Sequence, residues 1–187
     1  MENTMGRTTA LRTLAIDPGT REMGYAVLEG TELLYFGVHT FAHRHATCGL
    51  CADGGAFVRG LMEAFAPQIF VIGKTKYAQS KRSGRLHVCV EALQRLALRH
   101  GLVVRAYAPT AVKQMICGHG HATKREVAAT LIRQRYAYLD KYLKTDLRTR
   151  EMDWQHMFDA VALGLTGCEE TSQHRVALRE GTQQRGT

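Results

Sequence analysis

The apolar run Leu14-Ala15-Ile16 ends in an acid, and that ending constrains the fold more than any other stretch of the chain. Such a run reads as a buried strand. Asp17, Pro18 and Gly19 then turn the backbone before a second apolar run, Tyr25 to Leu28. Asp17 therefore stands at the mouth of a sheet. Alone it also fits an ordinary Asx turn, so its meaning depends on what later segments bring to it.

Arg12 to Asp17 reads as the first strand, Gly24 to Glu29 as the second and Glu32 to Thr40 as the third, with Gly30-Thr31 as a tight hairpin between the last two. From Gly54 the period becomes helical through Phe57, Leu61, Ala64 and Phe65, and Pro67 stops that helix before the apolar strand Ile69 to Ile72. A polar, basic segment from Lys74 to Arg85 precedes a helix with the stripe Leu86, Val90, Leu93 and Ala97, ended by Gly101. Leu102 to Tyr107 reads as a fifth strand, and Pro109 suits the first position of a short helix reaching Cys117. Thr123 and Glu126 form a capping box for a helix through about Gln134. Residues 137–152 are charged and weakly periodic, and a last helix runs from Trp154 to Thr166, closed by Gly167. Residues 1–11 read as a flexible leader, 12–167 as one domain, and 168–187 as a polar, disordered tail. The fold class is α/β, with a mixed five-stranded sheet and helices on both faces.

The last helix supplies candidate partners for Asp17. His156 and Asp159 are three apart and share a face, opposite Phe158, Val161 and Leu165. A carboxylate beside an imidazole suits a divalent cation, and an acid in so apolar a helix needs a partner or a metal. Asp153 reads as the N-cap of this helix. The 187 residues carry a formal charge of +8, which favours acidic partners, nucleic acid above all. No run is long enough to span a membrane and no signal peptide opens the chain, so a cytoplasmic, nucleoid-associated protein is expected. Five Cys without a secretion signal read as thiols or metal ligands rather than a disulfide framework.

Three segments together carry a family resemblance. Ile16-Asp17-Pro18-Gly19-Thr20 with Gly24-Tyr25-Ala26-Val27, then Val112-Lys113-Gln114 with Gly118-His119-Gly120 and Lys124, then His156-Met157-Phe158-Asp159-Ala160 resemble, in this order and spacing, the RuvC family of Holliday-junction resolvases. The first segment alone also occurs in YqgF-type nucleases and resembles the phosphate loops of actin-like ATPases. An ATPase of that kind would need a second similar domain, and a YqgF-type protein would lack the Gly118 to Lys124 segment.

The resemblance implies an RNase H-like fold and a homodimer that binds four-way DNA junctions. It implies paired nicks leaving 5′-phosphate and 3′-hydroxyl ends, with two Mg²⁺ ions per site, Mn²⁺ substituting, and a branch-migration helicase as partner. Asp17, His156 and Asp159 match three of the family's four ligands. The fourth, a glutamate at the end of the strand reading Phe70-Val71-Ile72, is matched here by Gly73, which supplies no ligand. Either an inactivating substitution or a natural pseudo-enzyme accounts for it, so weakened or absent cleavage is expected. A noncatalytic branched-DNA-binding protein of the same fold is the competing reading.

Lys74, Lys76, Lys81, Arg82 and Arg85 in one loop, and Lys113, Lys124 and Arg125 around the Gly-rich turn, are candidate phosphate contacts. Tyr77 is a candidate for stacking on an unpaired base at the crossover. His43, His45, Cys48 and Cys51 form a candidate zinc knuckle, too cramped for one tetrahedral site unless Cys117, His119 and His121 complete it; unligated surface thiols and imidazoles are the plainer reading. The helix from Leu86 to Arg99 either packs on the sheet or builds the dimer interface of RuvC-like proteins.

Overall fold

The protein is described here by a computed structural model covering residues 10–42, 47–74, 81–143 and 151–183. Its centre is a five-stranded sheet in the order β3-β2-β1-β4-β5. Strands β1 (Arg12–Pro18), β2 (Glu22–Glu29) and β3 (Glu32–Thr40) form an antiparallel meander, and Gly30 takes the positive φ of 59° that its hairpin requires. Strands β4 (Ile69–Gly73) and β5 (Val103–Tyr107) join in parallel, each after a helical crossover. This is the mixed α/β sheet that the residue pattern and the family resemblance imply.

Alternation along the strands divides the core in two. Leu14, Ile16, Phe70 and Ile72 face α1 (Thr47–Phe65) and α2 (Lys81–Arg99). Ala15, Ala26, Leu28 and Val71 face α6 (Glu151–Gln183), with α3 (Pro109–Cys117) and α4 (Lys124–Gln134) beside it. A 3₁₀ turn at Ala137–Leu139 and the short α5 (Asp140–Leu143) complete that layer. Because Ile16 pairs with Ile72, the central strands β1 and β4 end side by side at Asp17 and Gly73. Both positions belong to the face covered by α6.

Several boundaries differ from the sequence reading. Helix α1 starts seven residues before Gly54, a position where a Cβ would lie 2.8 Å from Met23 Cε; that glycine permits close packing and breaks nothing. Helix α2 starts at Lys81, so Lys81, Arg82 and Arg85 belong to a helix rather than a loop. An apolar stripe reports only the buried turns of a helix, and charged residues extend it without altering the stripe. Helix α6 starts at Glu151, which makes Asp153 its third residue rather than its cap, and it continues through Gly167 to Gln183, across most of the stretch expected to be disordered. A Cβ on Gly167 would come within 2.7 Å of Val71 Cγ2, so the glycine serves helix–sheet contact instead of termination. Leu11, placed in the leader, packs on the core, and its carbonyl accepts the Gly30 N–H at 3.0 Å. The hairpin, the Pro109 start of α3 and the α4 capping box stand as expected. Among the described residues no helix is long and apolar enough to cross a membrane.

At the α4 cap, Thr123 Oγ1 accepts the Glu126 N–H at 3.2 Å, and the Thr123 N–H donates to Glu126 Oε2 at 2.6 Å. Thr123→Ala is expected to cost about 1 kcal/mol in thermal or denaturant unfolding. The backbone and side-chain hydrogen bonds of Thr123 hold the Glu126 carboxyl below its ordinary value of 4.5. A depressed folded-state pKa stabilises above the unfolded value and is lost as pH falls through the folded one; Thr123→Ala keeps the backbone bond and loses the side-chain one, so that part of its cost should shrink as the pH falls below 4.5. An equal cost at pH 7 and pH 3 would contradict this.

Candidate active site

Helix α6 crosses the sheet where β1 and β4 end. A Cβ on Gly24 would sit 1.7 Å from the His156 carbonyl oxygen, so the helix backbone rests directly on β2 at this point. That contact sets His156 beside Asp17, with Nδ1 and Oδ2 2.5 Å apart. Burial pushes the Asp17 carboxyl up, opposed by the His156 hydrogen bond. Burial works downward on the imidazole, but the hydrogen bond and charge of Asp17 outweigh it and carry its pKa up.

One turn further, Asp159 Oδ2 accepts Lys124 Nζ at 2.9 Å and Oδ1 accepts Gln155 Nε2 at 3.0 Å. Asp17, Gly73, Lys74, Lys113, Lys124, His156 and Asp159 line a single cleft of about 310 Å³, whose inner wall is apolar: Leu86, Tyr107, Val112, Val127 and Leu163. A Cβ on Gly73 would lie 3.3 Å from Asp17 Oδ1 and 3.5 Å from Leu163 Cδ1, so a longer side chain there would enter the cleft beside Asp17.

The donor chemistry, two carboxylates and an imidazole, suits a divalent cation. It suits one ion better than two, because Gly73 contributes no oxygen and Lys74 faces the same space. Asp159 is drawn toward Lys124, and among the described residues no three His, Cys, Asp or Glu side chains are gathered tightly enough to enclose an ion.

The basic candidates separate. Lys74, Lys113 and Lys124 face the cleft, and Lys124 is bound to Asp159 rather than turned only to solvent. Arg125 is exposed on α4, and Arg85 lies on α2; neither lines the cleft. Lys76 and Tyr77, and the side chains of Lys81 and Arg82, lie outside what is described.

The zinc knuckle is not assembled from its described members. Cys48 and Cys51 belong to the first turns of α1, and Cys51 packs on the α1–α2 core, where burial and then the charge and hydrogen bonding of Cys51 push the Cys89 thiol up to about 12. Cys117 lies against the opposite core, with Sγ 3.7 Å from Thr130 Oγ1, so the sheet separates the two proposed halves. His43 and His45 lie outside the described residues.

Two site residues were not apparent in the sequence. Gln155 holds Asp159, and Glu22 places Oε1 4.0 Å from His156 Nε2. For Glu22 the available signal was an acid at the start of β2, which returns antiparallel beside Asp17.

The sequence profile of the crossover junction endodeoxyribonuclease RuvC matches residues 13–166. The crossover junction endodeoxyribonuclease RuvC of Akkermansia muciniphila is 27% identical over 161 residues, covering 83% of this chain and 89% of the relative. Thermus thermophilus RuvC superposes with a TM-score of 0.64 at 28% identity, over 83% of this chain and 92% of that one. The same Thermus protein in complex with its Holliday junction substrate also gives 0.64, at 25% identity and the same coverage. The yeast mitochondrial Holliday junction resolvase shares the fold, with a TM-score of 0.63 at 14% identity over 89% of this chain and 82% of that one.

The Lys124–Asp159 pair is largely exposed on the lysine side, so it contributes little to folding, roughly 0–1 kcal/mol. Lys124→Met should leave the melting temperature nearly unchanged and tighten Mn²⁺ binding, since the ion no longer competes with an ammonium for Asp159. Unchanged or weaker Mn²⁺ uptake in a titration would contradict the competition.

Proposed function

From the premise that this chain belongs to the RuvC family of crossover junction endodeoxyribonucleases, we propose that it binds four-way DNA junctions as a homodimer and cuts them by metal-dependent hydrolysis, weakened at one ligand position. The observation that carries this reading is the convergence of Asp17, His156 and Asp159 on one cleft flanked by Lys74, Lys113 and Lys124.

Asp17, His156 and Asp159 would hold the cation, Mg²⁺ with Mn²⁺ as substitute; when bound, it polarises the scissile phosphate and the attacking water. The chain's own groups do the rest. Asp17 is fixed by the end of β1, and its position cannot drift without breaking the pairing with β2 and β4. His156 is held against it by the α6–β2 contact. Lys74 and Lys113 bring positive charge to the phosphate that enters the cleft. Lys124 neutralises Asp159, and would be free to meet a phosphate oxygen if Asp159 held a cation instead. Gly73 leaves the β4 side without a carboxylate of its own, so a second ion would find no ligand on that strand. Cleavage, which would leave 5′-phosphate and 3′-hydroxyl ends, is slowed, while junction affinity, which rests on phosphate contacts, persists. On the outer surface of α2, Val88 and Leu98 are 45% and 60% exposed, which supports that helix as the dimer face. A branch-migration helicase is the partner class that would deliver junctions to such a dimer.

Gly73 also favours the second reading, a noncatalytic branched-DNA-binding protein. Nicking assays on four-way junctions separate the two. Gly73→Glu sets its Cβ 3.3 Å from Asp17 Oδ1, so the Asp17 side chain must give by a few tenths of an ångström, and it is expected to raise Mg²⁺-dependent cleavage on the order of a hundredfold or more, with DNA binding unchanged. A Gly73→Glu protein that binds junctions normally and cleaves no faster would overturn the nuclease reading in favour of the binding one.

A further inference from the structure

Strand alternation places Glu22 on the same face of β2 as Gly24, Ala26 and Leu28, the face that α6 covers. Its side chain is only 13% exposed, and it makes an ion-pair contact with His156. It lies at the opposite end of the imidazole from Asp17: Nδ1 is 2.5 Å from Asp17 Oδ2, and Nε2 is 4.0 Å from Glu22 Oε1. Between them the ring edge passes over Gly19, where a Cβ would fall 3.1 Å from Cε1 and 3.2 Å from Nε2. The two ring nitrogens are thereby distinguished. Nδ1 meets Asp17 on β1, and Nε2 faces a carboxylate on a different strand, β2.

We infer that Glu22 is a positioning residue for His156: it accepts the Nε2–H and so reserves Nδ1 for a cation in the cleft. A histidine that ligates a metal through one nitrogen needs an acceptor on the other to set its tautomer and ring orientation. Glu22 is the acid that lies in that direction, and it is not the missing fourth ligand, because the whole imidazole stands between it and Asp17. The present separation of 4.0 Å is that of an ion-pair contact, and the inferred hydrogen bond requires it to shorten by about 1 Å. The inference rests on the reading of His156 as a cation ligand and adds what holds that ligand in place.

The test is a Mn²⁺ titration, free ion read by electron paramagnetic resonance, on the full chain and on Glu22→Ala, Glu22→Gln and Glu22→Asp. Glu22→Ala is expected to weaken Mn²⁺ binding by about 10- to 100-fold. Glu22→Gln keeps an acceptor oxygen for Nε2–H and should stay within about threefold of the parent, which a loss of charge alone would not allow. Glu22→Asp, one methylene shorter, should fall between and serves in place of Glu22→Ala if that variant does not fold. If the parent takes up no Mn²⁺ and Gly73→Glu does, the comparison is scored on the Gly73→Glu background. Equal Mn²⁺ affinity with and without the Glu22 carboxylate overturns this inference alone, as does an equal loss in Glu22→Gln and Glu22→Ala. No Mn²⁺ uptake on either background overturns it together with the ligand role of His156.

Discussion

Helix α6 rests on strand β2 with no side chain between them at Gly24, and the site depends on that contact. A helix seated on ordinary strand side chains would stand some 10 Å from the sheet, and His156 could not reach Asp17. Here the His156 carbonyl occupies the volume a Cβ of residue 24 would need. The same closeness recurs along the helix, where Gly167 meets Val71, so the whole buried length of α6 is drawn down onto the sheet. The parallel register of β1 with β4 then does the remaining work, ending both strands at one level and setting Asp17 beside Gly73.

Two charge pairs stand at this level: Asp17 holds His156 and Asp159 holds Lys124, while Lys74 and Lys113 add two further cations to the cleft lining. A fourth carboxylate at position 73 would tilt the balance toward divalent cations. On the proposed function, its absence would separate two properties that a complete site combines, affinity for a polyanion and the capacity to activate water on it.

Much of this architecture was readable before any coordinates. The meander, the hairpin glycine, the Pro109 start and the Thr123 capping box are local signals whose physical cause lies within a few residues, and they stand where the pattern put them. Asp17, His156 and Asp159 were readable because an acid at a strand mouth and an acid in an apolar helix both demand explanation. Glycines misled: Gly54 read as the start of a helix and Gly167 as the end of one, yet both serve close packing inside their helices, a tertiary requirement that no local pattern reports. The roles of Lys124 and Glu22 were equally hidden. A lysine in a basic segment looks like a phosphate contact until its partner Asp159, 35 residues away, is in view, and Glu22 gains meaning only when the hairpin folds it back toward His156.

The central claim is that the glycine at the end of β4, not a rearranged fold, is what leaves this nuclease centre incomplete. The most direct measurement is anomalous diffraction from Mn²⁺-soaked crystals of the chain and of Gly73→Glu, each bound to a four-way junction. The account predicts a single Mn²⁺ beside Asp17, His156 and Asp159 in the unaltered chain, and a second ion, ligated by the new glutamate, in Gly73→Glu. Two fully occupied Mn²⁺ ions in the unaltered chain would contradict it.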